Sequence, residues 1–206
     1  MAKGQRRVQI GTGFQLKLIL LGDGAVGKTT LVKSWMDQKL ASNYLMTVGV
    51  DISAKNIVLA NGKKLKMTVS DVAGQQRFAQ FRSVFFNGAN LAFLVFDVTR
   101  KESLENLERE WLPQLIPTLS DEHFHALLIA NKIDLEGQRQ ITTADTRLAF
   151  KRLKKEFNMM KWIGFIETSA LHKHNVNEAF QIIAERYMVA KFAPPKKAKK
   201  AEESEE

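Results

Sequence analysis

Short apolar runs alternate with amphipathic stretches along most of this 206-residue chain. The runs at 91–98 and 126–130 are apolar almost throughout, as expected of strands buried on both faces of a sheet. Alternation of such runs with helical patterns is typical of a layered α/β sheet. The pattern predicts six strands, at 15–21, 52–59, 64–70, 91–98, 126–130 and 162–166, and helices at 33–38, 101–116 (ending before Pro117), 143–157 and 176–192.

Two local signals refine this picture. Asn61-Gly62 lies between the second and third runs and favours a two-residue hairpin turn, which predicts one antiparallel strand in an otherwise parallel sheet. Thr143 is the expected N-cap of its helix, with Asp145 in the first turn.

Composition limits the classes of protein that the chain can represent. Its length suits one domain, and an apolar content of 45% is enough for a core. The absence of cysteine excludes disulfides, thiolate metal sites, a cysteine nucleophile and anchoring by prenyl or palmitoyl groups. The apolar runs are too short to span a bilayer, and no signal peptide is visible, so we expect a cytoplasmic protein that meets a membrane, if at all, only through partners or its basic surface. We predict a basic N-terminal extension at 1–14, one domain at 15–192, and a disordered charged tail at 193–206.

The formal net charge of +9 leaves several interpretations open. A basic surface could face a polyphosphate ligand, nucleic acid or an anionic membrane, or could simply be solvated. No specific nucleic-acid motif accompanies it. The four histidines, His123, His125, His172 and His174, fall in predicted loops and are interpreted as surface residues rather than metal ligands.

The sharpest motif follows the first predicted strand. Residues 22–29 match the phosphate-loop pattern G-x-x-x-x-G-K-[ST] between a strand and a helix. Its glycines let the backbone approach phosphate oxygens, toward which successive N–H groups point. Lys28 should reach the terminal phosphates, and the Thr29 hydroxyl should bind Mg²⁺. The candidate phosphate-binding residues are Gly22, Asp23, Gly24, Ala25, Val26, Gly27, Lys28, Thr29 and Thr30. The alternative is a glycine-rich turn without a ligand.

Asn131-Lys132-Ile133-Asp134 directly follows the run at 126–130, at the edge where α/β sheets bind ligands. With this motif the chain resembles the Ras-like small GTPases, in which N-K-x-D reads guanine. The resemblance implies that Asp134 accepts hydrogen bonds from the guanine ring N–H and the exocyclic amine. It also implies that Asn131 ties this loop to the phosphate loop and that the Lys132 stem covers the base.

Further motifs of that family occur in the same order over about residues 15–192. The resemblance implies that Asp71, together with Thr29 and Thr47, holds Mg²⁺. It further implies that Gly74 contacts the γ-phosphate, Gln75 orients the attacking water, and a side chain at Gly24 would crowd Gln75. Ser169 and Ala170, in Glu167-Thr168-Ser169-Ala170, would support the base. Within the superfamily the stretches TVGVD, GQQRF and FDVTRKESL look Rab-like, although the chain lacks the C-terminal cysteines of Rab proteins.

The resemblance implies an α/β P-loop NTPase fold, in which a mostly parallel six-stranded sheet with one antiparallel strand is flanked by about five helices. It also implies a monomeric GTP/GDP switch that binds GTP with Mg²⁺ and hydrolyses it slowly, since residues 39–47 contain no arginine to act in cis. Effectors, exchange factors and GTPase-activating proteins would contact residues near 40–51 and 74–86. The aromatic residues Trp35, Phe78, Phe81, Phe85 and Phe86 could either pack in the core or contact an effector, and the sequence does not decide between these roles. The alternatives are a GTP-dependent scaffold with negligible hydrolysis and a P-loop kinase or ATPase.

Overall fold

A computed structural model describes residues 13–39, 47, 49–73 and 79–193. Its strands are β1 (Phe14–Leu21), β2 (Val50–Val58), β3 (Lys64–Val72), β4 (Leu91–Asp97), β5 (His125–Asn131) and β6 (Lys161–Thr168). Its α-helices are α1 (Lys28–Trp35), α2 (Ala79–Phe86), α3 (Lys101–Asn106), α4 (Leu112–Leu115), α5 (Thr143–Glu156) and α6 (Val176–Phe192). Because α3 and α4 belong to one continuous helical stretch, five helical segments flank the sheet within the described ranges.

The six strands form a single sheet in the order β2-β3-β1-β4-β5-β6. Only β2 runs antiparallel, alongside β3, and the remaining pairs are parallel. This confirms the predicted fold class. The predicted runs at 91–98 and 126–130 are buried at every position, as expected from their apolar sequences.

Two apolar clusters cover the two faces of the sheet. One packs α1 and α6 against it, and there the rings of Trp35 and Phe180 stack with centroids 4.2 Å apart. The other lies under the helical stretch from α3 to α4 and under α5, and it contains the buried side chains of Trp111 and Trp162. Helices therefore pack on both faces of the sheet and hold its strand ends in place.

The connection between β2 and β3 differs from the predicted two-residue turn. Gly62 N donates to Leu59 O at 2.8 Å, and Leu59 N donates to Lys63 O at 2.9 Å, so three residues form the loop. A two-residue type I′ turn needs positive φ at both central positions, whereas Asn61 has no positive φ and Gly62 has one of 78°. The prediction of an antiparallel pair was right and its turn type was wrong.

The start of α5 also differs by one residue. Thr142, rather than Thr143, is the N-cap: its hydroxyl accepts a hydrogen bond from Asp145 N, and the Asp145 carboxylate accepts one from Thr142 N. This reciprocal capping box stabilises the first turn because both backbone donors would otherwise lack a partner. Asp145 lies in the first turn as predicted.

Helix α1 ends at Trp35, three residues before the predicted end. The predicted single helix over 101–116 contains a π-helical turn, Leu107–Trp111, and ends in a 3₁₀ turn, Ile116–Thr118. His125 lies in β5 rather than in a loop, and it is buried beside Tyr187. Burial lowers the pKa of His125 from its ordinary value.

Candidate functional site

The parallel strands bring four polar residues to one edge of the sheet. In the strand registers Leu20 lies opposite Asp71, Asp97 lies opposite Asn131, and Asn131 lies opposite Thr168. The loop that follows β1 begins at the same edge. Ligands of open α/β sheets bind at this carboxyl edge, so the polar residues share the expected position.

Two glycines of the phosphate loop are required by close contacts. Gly22 has a φ of 139°, and a Cβ there would lie 2.1 Å from Val95 O. Gly27 has a φ of 100°, and its Cβ would lie 2.3 Å from Asn131 Nδ2. At Gly24 a Cβ would meet no described atom within 4 Å, while Gln75, which we expected it to crowd, lies outside the described residues.

The Lys28 side chain folds back and binds carbonyl oxygens at the start of the phosphate loop. Its Nζ donates to Gly22 O at 2.6 Å and to Asp23 O at 2.8 Å, and the residue is only 6% exposed. The ammonium therefore lies within the curve of the loop. A cation held by backbone carbonyls can exchange them for the oxygens of an anionic ligand without leaving the loop.

Thr29, Thr47 and Asp71 meet beside the phosphate loop. The Thr29 Oγ1 donates to Asp71 Oδ2 at 2.5 Å and lies 2.6 Å from Thr47 Oγ1. Asp71 Oδ1 is buried and has no hydrogen-bond partner among the described residues. A buried carboxylate oxygen left without a donor is unfavourable. A set of oxygen ligands with one open carboxylate position fits a hard divalent cation such as Mg²⁺.

Burial raises the pKa of Asp71, and the hydrogen bond from Thr29 and the charge of Lys28 only partly oppose this effect. A divalent cation would favour the carboxylate form and reverse that shift. Within the described ranges no three His, Cys, Asp or Glu residues cluster as a metal site. The candidate cation site thus combines one carboxylate, Asp71, with the hydroxyls of Thr29 and Thr47, rather than several acidic side chains.

Asn131 joins the phosphate loop to the loop after β6. Its Nδ2 donates to Val26 O at 2.9 Å, and its Oδ1 accepts hydrogen bonds from Thr168 Oγ1 at 3.0 Å and Ala170 N at 3.1 Å. We call this the Asn131 network. Because Asn131 is fully buried, the side chain fixes three loops relative to one another.

Asp134 and Ser169 are also brought together. Ser169 Oγ donates to Asp134 Oδ1 at 2.5 Å and accepts a hydrogen bond from His172 N at 3.1 Å. Asp134 is half-buried. The carboxylate is thus fixed by one neighbouring hydroxyl, while its second oxygen can accept hydrogen bonds from a ligand.

Lys132 has a partner that the sequence did not indicate. Its Nζ lies 2.7 Å from Asp97 Oδ2, and Asp97 Oδ1 accepts hydrogen bonds from Thr99 N and Thr99 Oγ1. Arg100 also lies 3.6 Å from Asp97 and donates from Nη2 to Gly24 O at 2.8 Å. The one signal for Asp97 was its place at the end of a buried apolar run, where a polar residue faces the ligand edge.

An exposed cluster lies at the rim between α1 and the loop after β6. Asp37 pairs there with Lys55, at 3.2 Å, and with Lys173. Lys55 Nζ also donates to Trp35 O at 2.6 Å. We call Asp37, Lys55 and Lys173 the Asp37 cluster.

The aromatic candidates for effector contact fall into different environments. Trp35 and Phe86 are buried, Phe85 is half-buried, and neighbouring Val84 is 65% exposed. Core packing is therefore the role of Trp35 and Phe86. Gly74 and Gln75, and the side chains of Phe78 and Phe81, lie outside the described residues.

Known proteins resemble this chain over most of its length. A model of the Ras family matches residues 17–189. The Ras-related protein Rab-2B of Dictyostelium discoideum is 36% identical over 172 residues, covering 84% of this chain and 80% of that protein. The Ypt/Rab-type GTPase ypt7 of Schizosaccharomyces pombe is 36% identical (82% and 80% covered), and the Ras-related protein Rab7 of Drosophila melanogaster is 37% identical (82% and 78%). No helix in the described ranges is long and apolar enough to cross a bilayer.

Proposed function

The chain belongs to the Ras family of small GTPases, and we propose that it is a GTP/GDP switch that binds GTP with Mg²⁺ and hydrolyses it slowly. The observation that carries the proposal is the Asn131 network. It connects the phosphate loop, which contains the buried Lys28, to the loops that hold Asp134 and Ser169. A single buried side chain would thereby set the spacing between the triphosphate and the base of a bound nucleotide.

Guanine selectivity would come from Asp134. Its Oδ1 is held by Ser169 Oγ, so the carboxylate presents acceptors to two adjacent N–H donors. Guanine offers such a pair, in its ring N–H and exocyclic amine, whereas adenine does not. Because an unpaired carboxylate in a closed site is unfavourable, ATP should bind much more weakly than GTP.

Hydrolysis would depend mainly on positioning. Lys28 would neutralise the terminal phosphates, and Thr29, Thr47 and Asp71 would hold Mg²⁺, which would neutralise charge developing in the transition state. Gln75 would orient the attacking water. Thr47 would sense the γ-phosphate through the same group of oxygens, and loss of that phosphate would release its segment.

Slow turnover is supported by the placement of charge. Residues 39–47 contain no arginine, and Arg100 beside the phosphate loop is engaged by Gly24 O and Asp97. We expect single-turnover hydrolysis of order 10⁻⁴ to 10⁻³ per second, as in Ras without its activating protein. A partner would then supply the missing arginine, and effectors would bind the segments near 40–51 and 74–86. We further propose that the chain is a monomer.

The first test measures binding of labelled GTP in competition with ATP. We expect Asp134→Ala to weaken GTP binding by at least about a hundredfold, because it removes two charge-assisted hydrogen bonds. Glu156→Ala, which removes an exposed carboxylate at the far end of α5, should leave binding unchanged. Equal affinities for ATP and GTP would favour the P-loop kinase or ATPase instead.

The second test measures single-turnover hydrolysis of GTP by Gln75→Leu. The variant should bind GTP normally and lose most of its turnover. Equal turnover in variant and wild type would contradict the role of Gln75. No turnover in either would favour a scaffold, and a wild-type rate far above the Ras range that falls in Arg100→Ala would show that Arg100 acts in cis.

A further inference from the structure

The helical stretch between β4 and β5 contains one turn that is wider than an α-helix. Residues Leu107–Trp111 are π-helical, and Leu112 N donates to Leu107 O, five residues earlier. Pro113 follows immediately and has no N–H with which to continue an α-helical ladder. Such single π turns are uncommon and concentrate at functional sites.

The wide turn places two donors side by side. Residues five apart on an α-helix point about 140° away from one another, yet Asn106 and Trp111 both reach Asp23 in the phosphate loop. Asn106 Nδ2 donates to Asp23 Oδ2 at 2.7 Å, and Trp111 Nε1 donates to Asp23 Oδ1 at 2.9 Å. Each oxygen of one carboxylate therefore has its own donor from the same helical stretch.

Both donors are held firmly. Trp111 is 1% exposed and Asn106 is 8% exposed. Arg109 Nη2 donates to Asn106 Oδ1 at 2.5 Å, which orients the amide so that its Nδ2 faces Asp23. The Lys28 ammonium lies 5.7 Å from the centroid of the Trp111 ring, within the range of a cation–π contact.

We propose that Asn106 and Trp111 are positioning residues for the phosphate loop, and that the π turn exists to bring them together. The proposal deepens the proposed function, on which it rests. Asp23 is an anion inside a loop that is to receive a polyphosphate, so an unrestrained carboxylate would repel the ligand. The two donors hold that carboxylate against the helix, and they fix the backbone between Gly22 and Gly24 before any ligand binds.

The experiment compares two tryptophans. Trp111→Phe keeps an aromatic ring but removes the N–H that Asp23 accepts. Trp162→Phe is the matched control, because Trp162 Nε1 also donates one partly buried hydrogen bond, to Phe157 O at 2.9 Å, but in the cluster beneath α5. Both variants should lower the melting temperature, whereas only Trp111→Phe should weaken GDP binding, by about tenfold.

A double-mutant cycle separates positioning from general destabilisation. Once Asp23→Ala has removed the carboxylate, adding Trp111→Phe should change GDP affinity by less than about twofold, since the pair is already broken. Asn106→Ala gives a second measurement that leaves the aromatic core intact, and its effect should likewise disappear in Asp23→Ala.

Additive effects in the cycle, or equal GDP affinities in Trp111→Phe, Trp162→Phe and the wild type, would overturn the positioning role. That result would leave the proposed function intact. A wild-type chain that binds no guanine nucleotide would instead contradict the proposed function itself.

Discussion

Two groups of polar side chains tie the loops of this site together, and they differ in their access to water. The Asn131 network is buried: Asn131 is 0% exposed and makes three hydrogen bonds. The Asp37 cluster is at the surface, where the side chain of Asp37 is 61% exposed and that of Lys173 is 41% exposed. One group uses neutral hydrogen bonds, and the other uses full charges.

The comparison shows that ion pairs between full charges need not contribute most to the positions of the loops. When a buried hydrogen bond is broken, its partner is left without any replacement, so the loss is large. When an exposed ion pair is broken, water solvates both ions, and salt already screens their attraction. We therefore expect position to be set by the Asn131 network, with the Asp37 cluster making a small correction at the rim.

The strongest way to break this comparison is Asn131→Ala. The change leaves the Val26 carbonyl, the Thr168 hydroxyl and the Ala170 N–H without their buried partner. We expect the free energy of unfolding to fall by about 2–4 kcal/mol and GDP affinity to fall by more than about a hundredfold. Urea denaturation and titration with fluorescent GDP measure the two effects.

Asn56→Ala, at an exposed position in β2, is the control and should change stability by less than about 0.5 kcal/mol. If Asn131→Ala proved as mild as this control, the buried network would not set the spacing of the loops.

Asp97 offers an intermediate case, because its buried carboxylate pairs with a partly exposed ammonium. The side chain of Asp97 is 2% exposed and that of Lys132 is 30% exposed. Burial alone would raise the pKa of Asp97, but the hydrogen bonds from Lys132 and Thr99 outweigh it and hold the pKa below its ordinary value of 3.8. We expect Asp97→Asn to destabilise the protein by about 1–2 kcal/mol at pH 7.

The pH dependence follows from the sign of that shift. Because the folded pKa lies below the unfolded one, the stabilisation is complete above about pH 4 and declines as the pH falls through the folded pKa. Since the variant cannot titrate at this position, its deficit relative to wild type should shrink as the pH is lowered below about 4. Urea midpoints measured from pH 7 to pH 3 test this, and a constant deficit would contradict the assignment.

The fold and the loops of the site were largely predictable because their signals are local. Apolar runs marked the strands, and the phosphate loop combined glycines with a lysine in a strand-to-helix context. A side chain at Gly22 or Gly27 would collide with Val95 or Asn131, which are distant in sequence. The need for glycine was nevertheless visible from the phosphate-loop motif alone. Even the cap of α5 was available, since Thr142 and Asp145 have the three-residue spacing of a capping box.

The remaining features depended on partners far away in the chain. Asp23 lies 83 and 88 residues from its two donors, and the apolar positions of 101–116 suit an α-helix as well as one with a π turn. Nothing near Lys132 identifies Asp97 as its partner. Sequence patterns report which face of an element is buried, but they do not report which distant side chain meets it.

The smallest effect is expected in the Asp37 cluster itself. The hydrogen bonds from Lys173 and Lys55 lower the pKa of Asp37, but the group is exposed, so solvent offsets most of its attraction to the two lysines. We expect Asp37→Asn to raise the rate of GDP release by less than about threefold at low salt and to leave it unchanged at 1 M salt, where screening acts within a few ångströms. Lys173→Ala should have no larger effect, because Asp37 then keeps its pair with Lys55, and combining the two changes should add nothing to Asp37→Asn. Stopped-flow release of fluorescent GDP at two salt concentrations measures all three variants. A weakening of GDP binding by Asp37→Asn as large as that by Asn131→Ala would reverse the comparison. It would mean that a solvent-exposed ion pair, rather than the buried network, controls how tightly the site holds its ligand.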